Sequence, residues 1–147
     1  MRKIIKIFTN QADPIFHDYD GEGQGGILFS DGTMLVDDHA QDCCEHVYAD
    51  WSSLIHEVGI MDDDFSSMMI QEKKNKGVIL CGKNYTYFLP CYNEQNGYYN
   101  DNLDLILLDT NQKETHDLGW WSDHEESRPM YKEIKRFEQV PTKDEIY

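Results

Sequence analysis

The sequence predicts an α+β fold, mainly antiparallel β-sheet with one or two short helices, and three observations carry that expectation. Short apolar runs rich in Val, Ile, Leu, Tyr and Phe recur along the chain and are broken by Gly, Asn and Asp, the pattern of strands joined by turns. The turn pairs Asp31-Gly32 and Asn96-Gly97 fall beside such runs. Helix signals arise in two places: Trp51 to Val58, closed by Gly59, and Met130 to Phe137, introduced by Pro129.

Taken in order, Ile4, Ile5, Ile7 and Phe8 suit a first strand, ended by the Asp13-Pro14 step because the residue before proline is biased away from helix. His17 to Gly26 is acidic, glycine-rich and read as a loop. Gly26 to Ser30 and Thr33 to Val36 form a hairpin across Asp31-Gly32, a pair that tolerates the positive φ of a type I′ turn. His39 to Trp51 fits strand and helix equally, and the segment starting at Trp51 is expected to be helical. Met68 to Ile70, Val78 to Cys81 and Tyr85 to Leu89 are strands separated by polar turns, and Pro90 is placed at a strand end, at an edge or just before a bulge, because it lacks an amide hydrogen. Asn93 to Gly97 is read as the loop of a second hairpin, with Tyr92 and Tyr98 packing across it, before a last long strand from Leu103 to Leu108. A terminal helix over Met130 to Phe137 and a flexible tail over 141–147 complete a single domain spanning 1–140.

Charge restricts function more than length does. Thirteen Lys and Arg against 28 Asp and Glu leave a net of −15, which repels polyanions and excludes direct nucleic-acid binding. Residues 11 to 70 hold 14 of the acids and no Lys or Arg. That stretch is expected to attract a cationic partner, and the same charge also serves solubility. No apolar run reaches the roughly 18 residues of a membrane span, and polar Thr9, Asn10 and Gln11 interrupt any signal-peptide core, so a cytoplasmic protein with no membrane contact is expected.

Among the motifs, Gln41-Asp-Cys-Cys-Glu-His46 invites a metal reading, since on a helix His39, Asp42, Cys43 and His46 would share a face. In a strand they split between two faces, and adjacent cysteines seldom reach one ion, so Asp42, Cys43, Cys44, Glu45 and His46 are also read as a buried polar corner. The glycine run Gly21 to Gly26 lacks the cation and following helix of a phosphate loop. It matches a calcium loop incompletely through Asp20, Glu22, Gln24 and Asp31. Six histidines and four cysteines permit a Cys44 nucleophile with a distant base, but no nucleophile motif supports it and no catalytic residue is assigned. Tyr92, Asn93, Asn96, Tyr98 and Tyr99 form the densest aromatic and amide cluster, suited to contacting a ligand or partner.

His39-Ala-Gln-Asp-Cys-Cys-Glu45 and the later Asn96-Gly-Tyr-Tyr99 together resemble the motifs of a family of small bacterial and phage proteins of unknown function, over about residues 26 to 108. The resemblance implies a shared fold and a shared site at Gln41 to Glu45 and Asn96 to Tyr99, and it carries over no activity. Cys91 to Glu94 departs from the aromatic and glycine expected just before the second motif.

The function expected is therefore that of a non-catalytic acidic binding or inhibitor protein that engages a basic protein surface, with no cofactor. The alternative is a small-molecule or metal-binding domain, with hydrolysis among its options, that uses the Asp42 to His46 and Asn96 to Tyr99 segments. A structural component of a larger particle is a third reading.

Overall fold

The computed structural model describes residues 1–39, 46–95, 102–116 and 128–146. Ten strands are formed: β1 (Ile4–Phe8), β2 (Gly26–Phe29), β3 (Thr33–Asp38), β4 (His46–Ala49), β5 (Met69–Lys73), β6 (Gly77–Cys81), β7 (Thr86–Gln95), β8 (Asp104–His116), β9 (Arg128–Phe137) and β10 (Lys143–Ile146). Three 3₁₀ turns, Pro14–Asp18, Trp51–Leu54 and Ile60–Asp62, are the helical elements among the described residues. The fold is all-β, which corrects the expected α+β class.

The first sheet has the order β1-β2-β3-β8-β9 and is antiparallel throughout. In the second, β10-β7-β6-β5, β4 also pairs with β7, and β10 alone runs parallel to its neighbour. The sheets share one core, where Ile27, Phe29, Leu35, Leu105 and Leu107 of the first meet Val47, Val78, Leu80, Leu89 and Cys91 of the second. Each fully buried Leu there contributes about 1.5–3 kcal/mol. Strand side chains alternate, so Met34, Val36, Ile106 and Leu108 point the other way, into a second cluster with Phe8, Phe16, Tyr19 and Tyr131. With both faces covered, Met34 to Val36 of β3 and Leu105 to Leu108 of β8 read as unbroken apolar runs.

Both expected helices are absent for identifiable reasons. From Trp51 onward the backbone bonds run to the third preceding residue, as in Ser53 N–H to Asp50 C=O and Ile55 N–H to Ser52 C=O. Trp51, Leu54 and Ile60 are buried at multiples of three, the period of a 3₁₀ turn, and Gly59 (φ +82°) breaks the segment as expected. Met130 to Phe137 is strand β9: an eight-residue helix is marginal alone, whereas pairing with β8 buries Met130 and Tyr131 and satisfies the ladder.

Turn details also differ. The β2–β3 connection is a three-residue loop, not a two-residue type I′ turn: the Gly32 amide bonds to the Phe29 carbonyl, and Gly32 alone takes a left-handed conformation (φ +86°). Pro90 lies inside β7, where β6 hands over to β4; its carbonyl accepts from the Asp50 amide, and the Cys91 amide bonds to Lys76. Of the second expected hairpin, Asn93 to Gln95 continue β7 instead of forming a loop, and Asn96 to Tyr99 lie outside the described residues. Leu103–Leu108 is not the last strand either: β8 continues to His116, and the segment expected to be a loose tail holds β10.

Candidate functional site

Strand β3 ends in two carboxylates that alternation sends opposite ways. Asp37, on the Leu35 side, is fully buried: Oδ1 accepts from the amides of Gln24 (2.8 Å) and Gly25 (3.2 Å), and Oδ2 accepts from Ala49 (3.1 Å). The Trp51 indole stabilises the same charge without a well-aligned hydrogen bond. Burial outweighs these donors and raises the Asp37 carboxyl above its usual range. The glycine run is explained by this contact, since a side chain at Gly23 would collide with Asp37 and one at Gly25 with the Phe8 carbonyl. The loop read above against phosphate and calcium patterns is thus a strap fastened over the core.

The described strand ends that flank the two sequence motifs lie side by side in the second sheet. Strand β4 starts at His46, directly after Glu45, and β7 ends at Gln95, directly before Asn96, with His46 opposite Glu94 in register. The segments 40–45 and 96–101 therefore leave the same end of one antiparallel pair. Asp42, Cys43, Cys44, Glu45, Asn96, Tyr98 and Tyr99 lie in them, outside the described residues.

Around that end, alternation puts Val47, Ala49, Cys91 and Asn93 inside and leaves His46, Tyr48, Tyr92 and Glu94 half-buried on the outer face. The His46 ring stacks on Tyr48 (centroids 4.2 Å apart), and Tyr48 lies 5.5 Å from Tyr92 at a 36° tilt. Glu94 accepts from the Tyr48 hydroxyl (3.1 Å) and sits 3.6 Å from His46 Nδ1. Burial first, and the Glu94 charge second, hold the Tyr48 phenol protonated well above its ordinary range. Asn93 faces inward and reaches Asp144 of β10 (3.4 Å).

Of the four residues weighed as metal ligands, Asp42 and Cys43 lie outside the described residues, His39 directly follows β3 and His46 opens β4. His39 is buried and its Nδ1 contacts the Asn102 carbonyl, while His46 faces Glu94. Among the described residues no three His, Cys, Asp or Glu side chains converge as a metal would require. Reading residues 46–49 and 92–95 as strands would have exposed Tyr48 and Glu94, which the sequence analysis missed: they follow His46 and Tyr92 at the two-residue spacing of one face.

The acids of residues 11–70 are largely engaged within the molecule. Asp13 pairs with Lys6, Asp18 with Lys113, Asp31 with Arg2 and Asp38 with Arg136. Asp37 and Asp63 are buried among hydrogen-bond donors, and Asp64 accepts from the Arg2 amide. Asp50 accepts from the Ser52 hydroxyl, so at least eight of the 14 carboxylates have intramolecular work, met by cations, amides and hydroxyls. No helix of the described residues is long and apolar enough to cross a membrane.

No curated protein and no solved structure matches the chain. The sequence does match, over residues 1–105, the family described as Domain of unknown function (DUF7448). The matched span starts earlier than the resemblance suggested, taking in β1, and includes both motif segments, 41–45 and 96–99. The chain therefore belongs to the DUF7448 family, a domain of unknown function.

Proposed function

We propose that this chain is a non-catalytic binding protein of the inhibitor type that engages a basic protein surface through the outer face of β4 and β7. The supporting observation is the ladder of His46, Tyr48, Tyr92 and Glu94, aromatic faces beside a carboxylate, at the strand ends from which both motif segments depart. A guanidinium or ammonium group is the natural guest of such a surface, held by the ring quadrupoles and by Glu94. The net charge of −15 adds long-range attraction that speeds encounter and weakens with salt.

The test is an NMR titration of the full chain with a short oligo-arginine peptide. Shifts confined to Tyr48, Tyr92, Glu94 and their strand neighbours are expected, together with an affinity that falls about tenfold in Glu94→Gln, the loss of one charge-assisted contact. Shifts scattered over every acidic surface, or binding indifferent to Glu94→Gln, would overturn the reading.

A further inference from the structure

A cleft of about 250 Å³ opens where the β5–β6 turn, the start of β8 and the β9–β10 connection meet. Asn75 lines it from the turn, Asn102 from just before β8, and Gln139, Thr142 and Asp144 from the connection and β10. These segments are fixed by bonds to the sheets. The Lys76 amide closes the turn on the Lys73 carbonyl (3.0 Å), and the Lys76 carbonyl accepts from the Cys91 amide (2.9 Å). The Gln139 amide bonds to Asp104 Oδ1 (3.0 Å), the Val140 amide to the Leu103 carbonyl (2.8 Å), and Asp144 Oδ1 accepts from Asn93 Nδ2 (3.4 Å). A ligand therefore meets a shape set in advance, and binding needs little ordering of the chain.

Two backbone conformations set this cleft apart. Asn75 (φ +59°) and Gln139 (φ +52°) are the only non-glycine residues with positive φ among the described residues, and both line it. Glycine adopts such a conformation at least cost, asparagine tolerates it, and glutamine has no local compensation for it. An amide side chain is thus kept at two positions whose backbone favours none. Neither side-chain amide serves the fold: among the described residues, those of Asn75 and Gln139 and the Thr142 hydroxyl make no hydrogen bond.

The chemistry of the lining selects the ligand. An amide presents a donor and an acceptor side by side, which matches two neighbouring hydroxyls that each donate and accept. Val140 and Pro141 add apolar surface for the C–H groups of a ring. Asp144 is the one charged residue in the lining, and with a net of −15 on the chain it disfavours an anion; Lys74 and Lys76, on either side of Asn75, do not line the cleft. A metal ion would find no three convergent His, Cys, Asp or Glu side chains among the described residues. The volume falls below the roughly 300–1,000 Å³ of sites for drug-sized ligands, which restricts the guest to about one sugar ring.

We propose that this cleft binds a neutral sugar, whose hydroxyls are read by the Asn75 and Gln139 amides, the Thr142 hydroxyl and Asp144 Oδ2, with Val140 and Pro141 as its apolar contact. The inference is independent of the aromatic face of β4 and β7 and of a basic protein partner.

NMR titration of the full chain with the methyl glycosides of glucose, galactose, mannose and N-acetylglucosamine tests it. At least one is expected to shift the amides of Asn75, Asn102, Gln139 and Asp144 saturably, with a millimolar dissociation constant. Asn75→Gly combined with Gln139→Gly removes both side-chain amides and suits both backbone conformations, so the unfolding midpoint should hold or rise while affinity for that sugar falls about tenfold, the loss of two neutral hydrogen bonds. Thr142→Val keeps the side-chain shape and should weaken binding about threefold. A panel that moves none of these amides, or an affinity that survives both variants, would overturn the proposal. So would glucuronate or calcium chloride shifting the same amides where the neutral glycosides do not, since the ligand would then be ionic. If oligo-arginine fails to bind while a sugar does, the cleft stands and the proposed function falls.

Discussion

Two aspartates show how the same residue type takes opposite electrostatic roles within one fold. Asp63 accepts at Oδ1 from the amides of Asp64 (2.8 Å) and Asn84 (3.0 Å), and at Oδ2 from the Tyr85 amide (3.1 Å) and the Tyr87 hydroxyl (2.7 Å). Burial opposes its ionisation, but the Tyr87 hydroxyl and the amides of Asn84, Asp64 and Tyr85 outweigh it and hold the carboxyl below 3.8. Its contribution to stability is thus complete above that value and is lost as pH falls through the depressed folded value. Asp63→Asn points an amide NH₂ at existing donors and should cost roughly 1–3 kcal/mol in urea unfolding near neutrality, with the gap to the wild type narrowing below about pH 4. Asp37 has the opposite slope, because its raised carboxyl favours the fold at low pH and that gain disappears as pH rises through the folded value. Nothing in the strings Asp37-Asp38 or Asp62-Asp63-Asp64 marks which member turns inward, since that depends on strand phase for Asp37 and on the turn at Asn84 and Tyr85 for Asp63.

At the scale of elements, local propensity and tertiary pairing disagreed at β9 and pairing won. Lys132 to Phe137 is built of acceptable helix formers after a proline, yet β8 offers a long unpaired edge whose apolar residues need cover on both faces. Tyr131 fixes the result: its hydroxyl donates to the Ile15 carbonyl (2.7 Å), tying β9 to the first 3₁₀ turn across the second core cluster. Tyr131→Phe should therefore lower stability by about 1 kcal/mol in chemical unfolding, with no change in strand content by circular dichroism. A side chain on a solvated terminal helix would show no such loss. The strands that were legible, β1 to β3, β5, β6, the first half of β7 and the Leu103 to Leu108 part of β8, are those whose apolar runs are bounded by turn residues. At β4 and the second half of β7 the polar outer residues His46, Tyr48, Tyr92 and Glu94 alternate with small or amide inner ones, which weakens the apolar signal.

The whole molecule is closed by contacts between distant parts of the sequence. The shared core draws on Ile4 at one end and Val140 at the other, and the Val140 amide bonds to the Leu103 carbonyl. The matched family span, 1–105, stops just inside β8, although β8 is the strand between β3 and β9 in the first sheet. A chain cut after Leu105 should fail to unfold cooperatively by circular dichroism, because β3 loses its partner and both core clusters are opened. A chain cut after Thr142 loses only β10 on the second sheet and should keep a cooperative transition at a lower midpoint.

By itself the sequence determined the charge, the first hairpin and most strands of the sheet cores, because these follow from side-chain chemistry and two-residue periodicity over a few neighbours. Only the tertiary structure decided that the fold is all-β, which acids are neutralised from within, and which residues stand on the outer face beside the motif segments. Those outcomes depend on partners tens of residues away, such as Arg136 for Asp38, Lys113 for Asp18 and Glu94 for His46, and no local pattern encodes a contact with a residue that far along the chain.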